Sequence, residues 1–229
     1  MTNSKENSLV GDAPAFRRVL KAAQVVAATD ANVLLVGESG TGKEHIARDI
    51  HRRSARVGGR FLVIQCAGMG EDVSGDELLG PSDHTEGGTL FIDEVSELHP
   101  AAQAMLLHLL ESRQNAGPAG RPGFRVIAAT SKDLWSVVQS GGFRMDLYYR
   151  LYVVPLELPP LRDRVQDIAL LLEHFVHAAA ETHGLKPARF TAAAERQLRR
   201  YVWPGNVREL RNFCERMVIL FSGSEVGPD

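Results

Sequence analysis

The 229-residue sequence predicts an α/β domain with a mostly parallel sheet, followed by a smaller all-helical domain. Three observations carry that prediction. Strand-like and helix-like patterns alternate through the first two thirds of the chain, as in βα units. A glycine-rich turn at 37–43 joins an apolar strand directly to a helix. After Pro160 the apolar strands stop and three helical runs follow. The expected division is an α/β core over 1–160, a helical domain over 161–222 and a tail over 223–229. A chain of this size buries roughly 70% of its unfolded surface, so it needs no covalent staples.

The elements follow in order. Residues 1–9 are polar and expected to be loosely held. Ala13–Ala28 reads as a helix because Phe16, Val19, Leu20, Ala23 and Val26 recur at helical spacing. Asn32–Val36 is a short buried strand, and a helix runs from Lys43 to about Arg53. Phe61–Cys66 is the second strand, bounded by glycines, and 71–80 reads as a short helix. Gly87–Gly88 turns the chain into the strand Thr89–Ile92. Pro100–Ser112 is a helix, opened by a proline that presets φ and lined by Leu106, Leu107, Leu109 and Leu110. Residues 113–123 form a loop rich in proline and glycine. Then come the strand Phe124–Thr130, a short helix at Asp133–Gln139, a second helix or a turn at Arg144–Leu151, and the strand Val153–Leu156. The helical runs of the second domain are Val165–His183, Ala192–Tyr201 and Val207–Leu220.

Composition excludes several classes. Twenty-six basic and 28 acidic residues give a net charge of -2, which argues against a dedicated nucleic-acid binder, although a local basic patch fits within that total. The only cysteines, Cys66 and Cys214, form no CxxC pair, so a cysteine zinc site is not expected and two free thiols are. The first ten residues lack the apolar core of a signal peptide, and no run is long and apolar enough to span a membrane. A soluble, cytoplasmic protein is expected.

Gly37-Glu38-Ser39-Gly40-Thr41-Gly42-Lys43 matches GxxxxGK in the strand–turn–helix setting that gives the motif its meaning. Backbone N–H groups of such a turn converge on phosphate oxygens, and the following helix adds its positive end. Gly40 and Gly42 allow backbone conformations that a side chain opposes. Lys43 is placed to reach β- and γ-phosphates. The Ser or Thr that usually follows the lysine is Glu44 here, so the magnesium hydroxyl is gone from that position. Thr41 or a water-mediated contact is the expected substitute. The competing reading is a glycine-rich turn beside an unrelated lysine.

The strand Thr89–Ile92 leads into Asp93-Glu94. Two carboxylates at a strand tip, about fifty residues after a phosphate loop, fit a Walker B pair. Asp93 would hold Mg2+, directly or through water, and Glu94 would orient or activate the attacking water. The alternative is a solvated strand end.

These motifs together resemble the AAA+ domain of bacterial enhancer-binding proteins, the NtrC-like activators that work with sigma-54 RNA polymerase. The matches are GESGTGKE at 37–44, GGTLFIDE at 87–94, RVIAAT at 125–130, FRMDLYYRLYVVPLELPPLRDRVQDIALL at 143–171 and WPGNVREL at 203–210. The resemblance implies a P-loop NTPase AAA+ core with a parallel sheet flanked by helices, a small helical lid, ATP or ADP with Mg2+, and ring hexamers or heptamers. A dimer is the alternative. It implies that Arg144 and Arg150 act as arginine fingers on a neighbouring subunit's nucleotide. If both lie on one helix, six positions turn them about 120° apart, so their jobs need not coincide. Two exposed helix arginines are the plain alternative. Arg208 matches the lid arginine called sensor II, with a salt bridge to Glu209 or Glu215 as its alternative. Thr130 matches part of sensor I. Val10 and Gly11 match the segment near adenine.

The chain departs from the family pattern at four places. ELLG at 77–80 and PSDHTE at 81–86 run straight into GGTLF, so the inserted GAFTGA loop, which engages sigma-54 in the family, is missing. Gln65 stands where the family has the asparagine that holds the catalytic glutamate. Ser131 replaces the asparagine of AATN. The 113–123 loop is short. The expected function is a central ATP-binding and ATP-hydrolysing oligomerisation domain of a bacterial transcription regulator independent of sigma-54. Its partners would be other copies of itself and, in the full-length protein, RNA polymerase holoenzyme and DNA through a C-terminal domain. An N-terminal sensory domain, such as the receiver of a two-component system, is expected outside this segment. The alternatives are a non-hydrolysing, nucleotide-gated assembly module and an unrelated AAA+ remodelling ATPase. Gln65 and Ser131 favour the former.

Overall fold

The computed structural model describes residues 9–68, 87–112 and 123–228. The stretch expected to be loose at 1–8, the short helix at 71–80, the PSDHTE turn at 81–86 and the loop at 113–122 lie outside the described residues. The chain divides into two compact units. One joins Val19–Gly37 to Lys43–Glu157; the other joins Met1–Arg18, Glu38–Gly42 and Leu158–Asp229.

The first unit is built on β1 (Val33–Val36), β2 (Phe61–Gln65), β3 (Thr89–Asp93), β4 (Arg125–Thr130) and β5 (Val154–Glu157). They form one parallel sheet in the order β2-β3-β4-β1-β5. Parallel neighbours need crossovers, which put helices on the sheet faces and leave the central strands dry on both sides. All six residues of β4 are buried accordingly, as are Val33, Leu34 and Leu35 of β1. Helix α1 (Pro14–Ala27) leads into this unit, and α2 (Lys43–Arg52), α3 (Pro100–Ser112), α4 (Leu134–Gln139) and α5 (Met145–Leu151) belong to it. Leu34, Leu90, Ile92, Val126, Ala128, Leu106 and Leu147 form its core. Because all strands point the same way, the residues following β1, β3 and β4 gather at one rim, where ligands of α/β sheets sit.

The second unit carries α6 (Asp167–His183), α7 (Ala192–Arg200) and α8 (Asn206–Leu220). Ile168, Leu171 and Val176 of α6 join Leu210, Cys214 and Val218 of α8 in its core, which also holds Trp203. Trp203 Nε1 donates to the Leu198 carbonyl (2.9 Å), so the buried indole is satisfied. Thr191 caps α7 by accepting from Ala194 N (3.1 Å), and Gly184 ends α6 in the left-handed conformation (φ 64°).

Every helix and strand expected among the described residues is present, with ends within two residues of expectation. Two details differ. The terminal SGSEVGPD holds a strand, β7 (Glu225–Val226), pairing parallel with β6 (Arg189–Phe190). Val226 is buried in the helical unit's core. Two-residue strands carry too little pattern to be seen in sequence. Arg144 is not on a helix with Arg150: it is the extended N-cap of α5 (φ -69°, ψ 131°), so the angular argument drawn from one helix does not hold.

Candidate functional site

The α/β unit places three strand tips side by side. β1 ends at Val36, and Gly37 N donates to the Thr130 carbonyl at the end of β4 (3.1 Å). Lys43 opens α2, only 6% exposed, and its ammonium donates to the Gly37 carbonyl (2.8 Å) and pairs with Glu94 Oε1 (3.0 Å). Asp93 is the last residue of β3, in register with Gln65, and Cys66 N donates to its carbonyl (3.1 Å). Glu94 follows in the left-handed region (φ 54°, ψ 53°). A non-glycine residue there costs about 1 kcal/mol or more, and bonds around it must hold it.

Those bonds come from Ser131 and Lys43. Glu94 Oε2 accepts from both the backbone N and the Oγ of Ser131, each at 2.8 Å. Burial alone would raise the Glu94 carboxyl, but the Ser131 and Lys43 donors outweigh it and hold the group below its ordinary range. Gln65 is not among the partners of Glu94 within the described residues; it ends β2 as an exposed side chain. Thr130 is fully buried, its hydroxyl donating to Ser96 Oγ (3.1 Å) and accepting from Lys132 N (3.1 Å). At the tip of β4 the residue touching Glu94 is therefore Ser131, since successive side chains point to opposite sides.

Arg144 and Arg150 lie elsewhere on this unit. Arg144 N donates to Gln103 Oε1 (2.8 Å), and its guanidinium pairs with Asp146 (2.8 Å). Arg150 pairs with Glu111 (2.9 Å), and its carbonyl accepts from Asn32 Nδ2 (2.7 Å). Gln103 was not singled out by sequence. It is buried at 1% exposure, and its amide donates to the Leu98 and Gly142 carbonyls, so it fixes the backbone of Arg144. A lone glutamine among the alanines and leucines of α3 was the signal. Met145, Tyr149, Tyr152 and Val153, beside these arginines in sequence, are exposed large apolar residues.

The helical unit holds the middle of the glycine-rich loop. Val207 N and Arg208 N, in the first turn of α8, donate to the Gly40 carbonyl (3.0 and 3.3 Å). Gly40 sits at φ 79°, and a Cβ there would lie 2.2 Å from the Gly205 carbonyl oxygen, so both conformation and close approach require glycine. Arg208 Nη1 donates to Ser39 Oγ (3.0 Å); Glu209 instead binds Gly205 N and Glu215 binds His183. The Thr41 hydroxyl donates to the Glu38 carbonyl (2.7 Å), a use internal to the loop. Glu44 forms an ion pair with Arg48 one turn along α2.

Three residues missed by sequence organise this part. Asn206 donates to Glu38 Oε2 (3.1 Å) and the Ser39 carbonyl (3.0 Å) while accepting from Leu161 N (2.7 Å). Arg164 donates to the Thr41 carbonyl (2.9 Å) and lies over the Phe16 ring (4.4 Å). Asp167 Oδ1 accepts from Asp12 N (2.7 Å) and Ala13 N (2.8 Å), tying down the segment that begins with Val10 and Gly11. Added bulk at Gly11 would strike Phe16 and Asp167, and Val10 packs on the helical core.

A lysine opening a helix and a carboxylate at a strand tip, 3.0 Å apart within the α/β unit, have the chemistry to meet a phosphate oxygen and to orient a water. Among the described residues no group of three or more His, Cys, Asp or Glu is placed to hold a metal ion. No helix among them is long and apolar enough to cross a membrane.

Comparison with known proteins decides the family. The model described as "Sigma-54 interaction domain" matches residues 10–161, and that described as "AAA+ ATPase lid domain" matches 162–229. The chain belongs to the sigma-54-interaction AAA+ family. This AAA+ chain is 38% identical over 244 residues to the transcriptional regulatory protein ZraR of Klebsiella oxytoca, covering 98% of this chain and 55% of that protein. It is 39% identical to the C4-dicarboxylate transport transcriptional regulatory protein DctD of Rhizobium meliloti, over 94% of this chain and 51% of that one. The crystal structure of NtrX from Brucella abortus in complex with ATP superposes with a TM-score of 0.86 at 34% identity, covering 94% of this chain and 53% of that one. The AAA+ chain thus spans about half the length of these relatives.

Proposed function

We propose that this chain is the ATP-binding, ATP-hydrolysing assembly domain of a bacterial transcription regulator that acts without sigma-54. The observation that carries the hydrolytic reading is that Lys43 at the start of α2 and Asp93-Glu94 at the tip of β3 stand together in one unit. In this reading Gly37–Glu44 cradles the phosphates, Lys43 neutralises the β- and γ-oxygens, Asp93 holds Mg2+ directly or through water, and Glu94 accepts the proton of the attacking water. Bound Mg2+–ATP supplies the phosphoanhydride and the metal's charge. Val10 and Gly11 lie against the base, Arg208 turns from Ser39 to phosphate, and Thr130 sets the tip of β4. Arg144 and Arg150 reach a neighbouring copy's γ-phosphate in a ring, and the exposed residues Met145, Tyr149, Tyr152 and Val153 make that face suited to burial.

Independence from sigma-54 rests on the sequence, which contains no GAFTGA. A six-residue PSDHTE stretch is too short for two arms and a tip, while shortening a loop costs a core little. A non-hydrolysing assembly module is the second reading, favoured by the two Ser131 donors held on Glu94 Oε2. DNA contact and signal reception belong to other parts of the regulator.

The deciding experiment has three arms. Phosphate release is measured for the wild type and Glu94→Ala at several protein concentrations, with a loss of about 100-fold or more expected in the variant. Equal rates, or none in either, overturn the hydrolytic reading. Light scattering with a γ-phosphate analogue should give a ring-sized mass for the wild type and a smaller one for Arg150→Ala; equal masses overturn the trans role. Transcription by the full-length regulator is expected with the ordinary holoenzyme, and activation of a sigma-54 promoter refutes that part.

A further inference from the structure

The Glu94 carboxylate is restrained from two sides by groups of the same unit. Oε1 faces the Lys43 ammonium at 3.0 Å, and Oε2 takes two donors from Ser131 at 2.8 Å each. This pairing has two chemical consequences. Lys43 is the cation that a phosphate chain needs, and Glu94 occupies it. Glu94 is the acceptor that an attacking water needs, and Ser131 fills the lone pairs of its second oxygen. Gln65 contributes nothing to this hold among the described residues. The left-handed backbone of Glu94 (φ 54°, ψ 53°) is a position that its surroundings impose.

We propose that Ser131 is a positioning residue that parks Glu94 on Lys43, so that ATP must displace the carboxylate before it can bind and react. The hold comes not from Gln65 at the end of β2 but from Ser131 at the end of β4. Its hydroxyl is the tunable part, because the backbone N–H persists in any substitution except proline. The inference rests on the reading that this loop binds ATP, and its central test reads affinity, which does not depend on turnover.

The test compares the wild type, Ser131→Ala and Ser131→Thr. Ser131 is exposed, so neither variant disturbs the core, and the threonine keeps the hydroxyl. Binding of ATPγS with Mg2+ is measured by titration calorimetry, and phosphate release from ATP in parallel. Removing the hydroxyl loosens Glu94, so ATPγS should bind Ser131→Ala about 3-fold more tightly and kcat should rise about 3-fold, with Ser131→Thr near the wild type. A purely structural role would weaken binding and turnover together. Unchanged or weaker ATPγS binding in Ser131→Ala overturns the parking role. Tighter binding with a fall in kcat overturns it too, because Ser131 would then support the reacting carboxylate. If no protein releases phosphate while Ser131→Ala still binds ATPγS more tightly, the hydrolytic reading fails and the parking role stands. If no variant binds ATPγS, both fall.

Discussion

At position 38 the glycine-rich loop carries a carboxylate gripped by two partners. Arg162 makes a bidentate contact (2.6 and 2.8 Å) and Asn206 adds an amide donor (3.1 Å). Hydrogen bonding by Arg162 first, and Asn206 next, lowers the Glu38 carboxyl from 4.5 to about 2. The folded value lies below the unfolded one. The contribution is therefore complete above pH 4.5 and disappears as the pH falls towards 2. Both side chains are more than 40% exposed, so solvent screening keeps this contribution small. Arg162→Ala should move the Glu38 carboxyl resonance towards an ordinary titration. Its stability deficit at pH 6 should close on acidification through the same window; a deficit independent of pH refutes the pairing. At this scale the sequence was half legible. GxxxxGK placed Lys43, and Asp93-Glu94 followed a clear strand, but the partner of Glu94 did not emerge. Ser131 stands out in sequence only as a departure from the family pattern, because hydrogen bonding to Glu94 depends on a strand-end direction and a left-handed residue that no spacing reveals.

Among elements, the start of α1 hangs on the first residue of α6. Asp167 is fully buried and accepts the N–H groups of Asp12 and Ala13, while the buried guanidinium of Arg164 takes favourable charge from it. Burial lowers Arg164 to about 10, a value Asp167 keeps from falling further. Asp167→Ala would orphan two N–H groups and leave Arg164 without that carboxylate, a loss of about 3–5 kcal/mol. Asp167→Asn keeps an acceptor and should lose less. Urea titration of the two variants measures the difference, and equal midpoints would refute the arrangement. The helices and long strands were legible because their apolar periods are strong. The β6–β7 pair was not, and neither was Arg144 as a cap, since a two-residue strand and a helix's first residue are set by neighbours distant in sequence.

Across the whole molecule, the two thiols report on different units. Cys66 lies in the α/β unit and Cys214 in the helical unit, at 1% and 0% exposure. Burial pushes both up to about 12, with the carboxylates of Asp93, Glu94 and Glu97 adding to the effect at Cys66. Neither should react with iodoacetamide at pH 8 in the native protein. As denaturant rises, each should become modified when its own unit opens, which peptide mass spectrometry resolves. Rapid labelling of either without denaturant contradicts this. The parallel sheet and helical second part were readable from alternation and from the change after Pro160. The grouping of Glu38–Gly42 with the helical unit was not, because it depends on α8 donating to the Gly40 carbonyl.

The backbone at Glu94 sets up a conflict for anyone selecting variants. A left-handed position favours glycine or asparagine on conformational grounds, whereas the proposed chemistry needs the longer acid. Selection for heat resistance alone would be drawn towards the first, and selection for turnover would restore the second. Position 94 is thus where a thermostable library and an active one should part company.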